Sequence, residues 1–277
     1  MNNVTPLVSA IVLNYRSPRD TVKCVQALKK QTIADRMEIL AVDNHSCDES
    51  IGFMRAQLAS LPSVRIVEER ANLGYGRGNN AAAKLARGEY ILILNPDNVL
   101  PPDGVEKMLK TLQSDPEAGV VGPALVYPDG SVRPSARTFP SPLDLLSKRM
   151  FPARWHAAYE TERQRLLSAP AVDVDWLVGA CLLLRHDLYK ELRGFDERYF
   201  LFFEDIDLCR RIHGVGKKVI YLSSLKVLDR KGRLSGSSIV SLVTRKTTRI
   251  HLASAMKYFA KWGLSAPSLS LKHGKSA

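Results

Sequence analysis

LILNPDN, residues 92–98, is an apolar run that stops at a single carboxylate between two amides. Preceded by Glu89-Tyr90-Ile91, it reads as a buried strand ending in Asn95-Pro96-Asp97-Asn98. Two readings of that ending are open. Asx residues after strands commonly form turns. A hard divalent cation, in contrast, takes carboxylate oxygen and keeps waters and substrate phosphates as its other ligands. Pro96 fixes the backbone so that Asp97 points away from the strand, and Asn95 and Asn98 can hold it without adding charge.

Working outward, the same pattern recurs. VSAIVLN (8–14), EILAV (38–42), SVRIVE (63–68) and the start of a strand at GVVG (119–122) alternate with helical segments at 18–31, 50–60, 79–87 and 103–114. Pro18 suits a helix start, and Asp48 or Ser50 a cap for the second helix. Strand and helix alternating through 120 residues with short connections predict an α/β fold with a parallel, doubly wound sheet. Ligands of such sheets bind at the carboxyl ends of strands. Asp43 and Asp97 each follow a strand and should face one cleft.

The second half is less regular. Residues 134–170 carry five prolines and read as a mobile connection with one or two helices. A strand pair is expected at 174–185, a short helix at 187–193, a helix from about Glu204, a strand at 218–222 and an amphipathic helix at 237–262. The tail after Pro267 is expected to be loose.

Composition bounds the function. The net charge is +12, and residues 226–261 hold nine Lys and Arg against the single acid Asp229. Nucleic acid, an anionic membrane surface and a phosphorylated substrate all fit such a charge. No stretch of 18 apolar residues predicts a transmembrane helix, and the N-terminus lacks signal-peptide features. Cys24, Cys47, Cys181 and Cys209 form no CxxC pair, which favours free thiols in a reducing cytoplasm over disulfides or zinc.

Two further motifs stand out. NLGYGRGNN (72–80) is glycine-rich but has neither the spacing nor the position of a dinucleotide fingerprint, and no Walker loop is present. It reads as a turn before a helix or as backbone that can approach a phosphate. FFEDIDLCRR (202–211) places Glu204, Asp205 and Asp207 within four residues at an expected helix start. These are either a solvated acidic first turn or, given the large apolar neighbours, carboxyls tuned as a base. His213 and His251 read as surface residues.

The order of VSAIVLNY, VDNHSCDES, NLGYGRGNNAA, YILILNPDN, VGACLLLR and GFDERYFLFFEDIDLCRR resembles the family 2 glycosyltransferases of the GT-A fold. It is most similar to the rhamnosyltransferase branch that builds bacterial surface polysaccharide. The resemblance covers about residues 7–222. It implies a Rossmann-like, mostly parallel central sheet flanked by helices, with a catalytic domain at 1–236 and a basic C-terminal helical extension at 237–277.

By that resemblance Asp43 recognises the base and ribose region, Asn14 and Tyr15 flank the base, and Asn72, Gly74 and Asn79 shape the donor pocket. Asn95-Pro96-Asp97 fills the DxD position, so Asp97 would ligate Mg2+ or Mn2+ together with the donor's diphosphate. Asp205, of the pair Glu204-Asp205, matches the general base, and Trp176 and Gly179 would line the acceptor side. The family commonly has a histidine after the last sheet strand, where this chain has Asp229 and Arg230. Either Asp229 is a second metal ligand, or Arg230, Lys231 and Arg233 contact phosphate, or the enzyme is weakened.

The implied activity is inverting transfer of L-rhamnose from dTDP-rhamnose to a glycan or lipid-linked acceptor. The alternatives are a UDP-hexose or UDP-aminosugar transferase, or a catalytically silent binder of nucleotide sugar or nucleic acid. Nucleic acid is not the expected partner. The expected location is cytoplasmic, peripheral at the inner face of the plasma membrane, with residues 239–262 either resting on anionic lipid or packing on the catalytic domain.

Overall fold

The first four strands, β1 (Val8–Asn14), β2 (Met37–Asp43), β3 (Val64–Glu68) and β4 (Tyr90–Leu94), pair in parallel in the order β3-β2-β1-β4. β1, β2 and β4 are buried along their whole length, which is why they read as unbroken apolar runs rather than alternating ones. The computed structural model describes residues 5–142, 152–230 and 246–264. Helices α1 (Pro18–Leu28), α2 (Ser50–Leu58), α3 (Tyr75–Ala83) and α4 (Gly104–Ser114) connect the strands. Asp48 supports the start of α2 by accepting the Ser50 N–H at 2.8 Å.

The sheet then changes character. After the two-residue β5 (Asn98–Val99) and β6 (Ala118–Val126), the chain makes a long excursion and returns as β10 (Cys181–Arg185), which inserts antiparallel between β4 and β6. The excursion holds β7 (Ala136–Arg137), α5 (Pro152–Leu167), β8 (Val172–Asp173) and β9 (Trp176–Leu177), with β7 and β9 paired as a small separate ribbon. α6 (His186–Glu191) and α7 (Glu204–Gly214) follow. β11 (Lys218–Asp229) runs parallel to β6, pairs β5 and β8 on its other side, and α8 (Lys246–Trp262) ends the described chain. The sheet is therefore mixed: β3-β2-β1-β4 and the β6–β11 pair are parallel, and β10 runs antiparallel between them.

Three expectations are corrected. α3 starts at Tyr75, inside the glycine run, and not at residue 79. Gly74 supplies the break with φ +80°, and Gly76 and Gly78 are helical. A Cβ on Gly76 would lie 3.0 Å from Phe195 Cβ, and one on Gly78 3.0 Å from the Leu13 methyls. Those glycines let the helix sit close to β1 and to the Phe195 segment. β11 runs seven residues past the expected end at Leu222, because a register shift between Leu222 and Lys226 absorbs Ser223, Ser224 and Leu225. His213 and His251 are half-buried: His213 Nε2 lies 3.1 Å from the Val174 and Asp175 carbonyls, and His251 packs on Phe202 and Phe203. The expected boundary at 236/237, Lys231, Arg233 and the tail after Pro267 lie outside the described residues.

α8 packs through Ser254, Ala255 and Tyr258, all buried, leaving Leu252 and Met256 exposed at 51% and 60%. Among the described residues no helix is long and apolar enough to cross a membrane.

Candidate active site

Asp205 sits in the first turn of α7. Phe202 and Phe203 precede it with φ of 68° and 71°, two consecutive non-glycine residues in left-handed backbone. Such geometry costs of order 1–3 kcal/mol per residue and concentrates where a side chain must be aimed. Asp205 Oδ2 accepts the Gly179 N–H at 2.9 Å, and Oδ1 accepts the Ile206 N–H at 2.9 Å. Gly179 approaches closely: a Cβ there would lie 3.2 Å from Asp205 Cβ. Tyr75 donates its hydroxyl to the Gly179 carbonyl from the other side.

Burial pushes both Glu204 and Asp205 above the usual carboxylate range. Glu204 goes further, because the Asp205 charge adds to its burial and its Oε2 has no partner. Asp205 is restrained by the two N–H groups and by Arg137. The two carboxyls are therefore unequal: burial and the neighbouring Asp205 drive Glu204 up furthest, while N–H donors and Arg137 oppose the rise at Asp205. Asp205 is half-buried while Glu204 is buried, so Asp205 is the one that can meet a substrate.

The same peptide segment reaches the end of β4. Asn95 N–H donates to the Ala180 carbonyl at 2.8 Å, one residue from the Gly179 that holds Asp205. The Asn95–Asn98 turn and the start of α7 thus meet at the carboxyl edge of the sheet. Asp97 is half-buried there, and its carbonyl accepts the N–H of the exposed Arg230 at 3.1 Å.

Asn14 and Asp43 are neighbours at the ends of β1 and β2. Asn14 Nδ2 donates to Asp43 Oδ1 at 2.6 Å, and Ser46 N–H donates to Asp43 Oδ2 at 3.0 Å. The Thr21 hydroxyl and the Ser17 N–H both donate to Asn14 Oδ1 at 3.0 Å. Asp43 is therefore buried and internally held, and Tyr15, 45% exposed, is the residue presented at that rim. Asn72 Oδ1 accepts the Gly74 N–H at 3.0 Å, and Asn44 ties the same loop through the Leu73 N–H and the Gly74 carbonyl.

Several expected roles change. Asn79 is fully buried inside α3 with Nδ2 on the Tyr75 carbonyl, so it supports the helix and does not face a donor. Trp176 is 7% exposed, donates its indole N–H to the Thr138 carbonyl and is covered by Arg137 at 5.5 Å. It is a packed side chain, with little surface to offer a ligand. Asp229 is fully buried and ion-paired with Arg133, so one of its oxygens is taken before any metal arrives. Residues that motif reading missed include Asn44, Ser46, Tyr75 and Arg133. Asn44 and Ser46 follow Asp43 directly, a usable signal; Arg133 carried none.

Do these residues fit a divalent cation? Among the described residues no group of three His, Cys, Asp or Glu gathers to hold one without substrate. A cation shared with a diphosphate needs only one or two protein carboxylates. Asp97 meets that need, and beside it Asp229 Oδ1 and both side-chain atoms of Asn98 are buried without a hydrogen-bond partner. Asn98 and Asp229 face each other across the β5–β11 pairing. The donor set fits an oxygen-seeking ion completed by phosphate. A groove of about 500 Å³ lined by Asp115, Glu117, Asp173 and Lys218 lies at the opposite, amino edge of β6 and β11 and has no part in this chemistry.

This fold is of GT-A architecture. A structure of GalNAc-T7 with UDP, GalNAc and Mn2+ superposes with a TM-score of 0.63 at 14% identity, covering 86% of this chain and 47% of that one. The mannosyltransferase PcManGT from Pyrobaculum calidifontis, in complex with GDP-Man and Mn2+, gives 0.62 at 19% identity over 97% of this chain and 79% of that one. In sequence, the N-acetylglucosaminyl-diphospho-decaprenol L-rhamnosyltransferase of Mycobacterium tuberculosis is 34% identical over 235 residues, 78% of this chain and 75% of the relative. The model of the family described as Glycosyl transferase family 2 matches residues 9–193. The chain belongs to glycosyl transferase family 2 and is a glycosyltransferase.

Proposed function

We propose that this enzyme transfers L-rhamnose from dTDP-rhamnose, with inversion, to a hydroxyl of a lipid-linked saccharide. The observation that carries the reading is the Asp205–Gly179–Ala180–Asn95 connection, which ties the Asp205 carboxyl to the Asp97 turn. Asp205 takes the proton of the acceptor hydroxyl as its oxygen bonds to the anomeric carbon. The bond from that carbon to the diphosphate breaks in the same step, so the configuration inverts and no enzyme nucleophile is required. Tyr15 and the Asn14–Asp43 pair lie where the nucleoside would rest. Mg2+ or Mn2+, held by Asp97, would supply Lewis-acid stabilisation of the leaving diphosphate, and Arg230 adds positive charge at the same edge. The rhamnosyltransferase relative, acting by name on a decaprenol diphosphate saccharide, supports the sugar and the acceptor class.

The test is a donor panel with Mn2+ and a polyprenyl-diphosphate saccharide acceptor. Transfer from dTDP-L-rhamnose should exceed that from UDP- and GDP-sugars. Chelation, or Asp97→Ala, should lower it about 10²-fold or more, the scale of losing one main stabiliser of leaving-group charge. Faster transfer from a UDP-hexose overturns the donor. Full activity in chelator overturns the metal, and nucleotide binding without turnover points to a silent binder.

The lipid part of such an acceptor lies in a membrane. On α8 the exposed Leu252 and Met256 are joined by exposed Arg249 and Lys257, an apolar stripe edged with cations. We assign this face to the surface of an anionic bilayer, where each basic residue is worth about 1 kcal/mol. Cosedimentation with phosphatidylglycerol vesicles should weaken in a Leu252→Ser/Met256→Ser variant and at high salt. Equal recovery with and without vesicles removes the assignment. Of the other apolar residues expected to contribute, Tyr258 is buried, Phe259 and Trp262 pack against the core, Ile250 is half-buried, and Ile239, Leu242 and Val243 lie outside the described residues.

A further inference from the structure

The elements that aim Asp205 are fixed from behind by the C-terminal helix. Asp207, two residues further along α7, is fully buried. Its Oδ2 accepts Arg211 Nε at 2.8 Å, and its Oδ1 accepts Lys261 Nζ at 2.6 Å and the Trp262 indole N–H at 2.7 Å. Lys261 also reaches Asp196 Oδ2 at 2.8 Å, and Arg211 Nη2 donates to the Gly194 carbonyl at 2.7 Å. On the adjacent flank Arg210 lies over the Trp262 ring at 4.6 Å and donates to the Tyr258 hydroxyl at 3.1 Å. The last turn of α8 therefore grips α7 on two flanks and holds the Asp196 segment with it.

The first turn of α7 packs through Phe203 and Ile206 and is tied to Gly179 through Asp205, but it has no side-chain cap. The two residues ahead of Glu204 are in left-handed backbone. A buried, fully paired carboxylate adds little net stability over an apolar replacement, but it fixes geometry. α7 and α8 also lie beyond the segment matched by the family model, which ends at residue 193.

We infer that Asp207, through Lys261 and Trp262, is the positioning residue of the site, setting the rotation of α7 that brings the Asp205 carboxylate to the acceptor. The C-terminal helix is then part of the catalytic apparatus as well as a surface feature. This inference rests on the reading of Asp205 as base, and the experiment separates the two.

The full-length chain is compared with Lys261→Met, Lys261→Arg and Trp262→Phe. The expected result for Lys261→Met is a kcat at least tenfold lower with donor KM within twofold, and faster amide exchange across residues 203–209. Lys261→Arg, which keeps the cation, should restore kcat to within threefold. If Lys261→Met does not fold, Trp262→Phe, which removes only the N–H, takes its place in the same comparison. A folded variant that keeps full kcat, or an Arg variant as impaired as the Met one, overturns the inference. A wild-type chain inert with every donor removes the base reading instead. Exchange alone then decides the clamp: faster exchange in Lys261→Met upholds it, and equal exchange overturns it.

Discussion

Asp205→Asn should lower sugar transfer by about 10²–10⁴-fold, the range a positioned general base contributes, while nucleotide affinity stays near wild type. The amide keeps the size of the side chain and its acceptor oxygen for the Gly179 N–H, but it cannot take a proton. The pH profile carries the same information. Burial raises the Asp205 pKa, and the base works only when ionised. Activity should therefore rise with pH through a value above the ordinary carboxylate one, about 4. Glu204→Gln probes the partner. A carboxyl whose folded pKa lies above its unfolded one costs stability once pH exceeds the unfolded value. Since burial and the Asp205 charge push Glu204 up, the Gln variant should melt a few degrees higher at pH 7 and keep transfer. Unchanged turnover in Asp205→Asn would remove the assignment of the base.

Gly74→Ala should be the most damaging single methyl in the molecule. Gly74 has φ +80°, and an added Cβ would lie 2.2 Å from the Phe200 carbonyl oxygen, which itself accepts the Tyr75 N–H at 2.8 Å. Strain and clash together should cost roughly 3 kcal/mol or more. The displaced segment also leads into Phe202, Phe203 and Glu204, so turnover should fall further than stability explains. Gly52→Ala is the control. It lies in α2 with nothing within 4 Å of its added Cβ, and should gain about 0.5–1 kcal/mol from helix propensity. Urea titration with parallel turnover assays reads both; equal small effects at the two positions would contradict this account of the Phe200 contact.

Much of the fold is legible in the chain because its strands are short apolar runs, buried on both faces, that stop at polar residues. β1, β2 and β4 were expected to within one residue at their carboxyl ends, and those ends hold Asn14, Asp43 and the Asp97 turn. The direction of β10 is not legible, since CLLLR is as apolar read either way and only its partners β4 and β6 set its sense. The helical glycines of α3 were hidden because glycine usually marks a turn; here they admit Leu13 and Phe195. The Asp207–Lys261 pair joins residues 54 apart, a separation that no periodicity announces. The burial of Asp229 and Trp176 and their pairing with Arg133 and with the Thr138 carbonyl are tertiary facts that the local sequence does not carry.

β6 and β10 are neighbours in the sheet, yet the chain between them is a long excursion that leaves the pairing of β1 through β4 untouched. The excursion is thus topologically separable from the frame formed by β1 to β4. A change of length in that excursion leaves the β1–β4 register, and with it the ends that carry Asn14, Asp43 and the Asp97 turn, where it is.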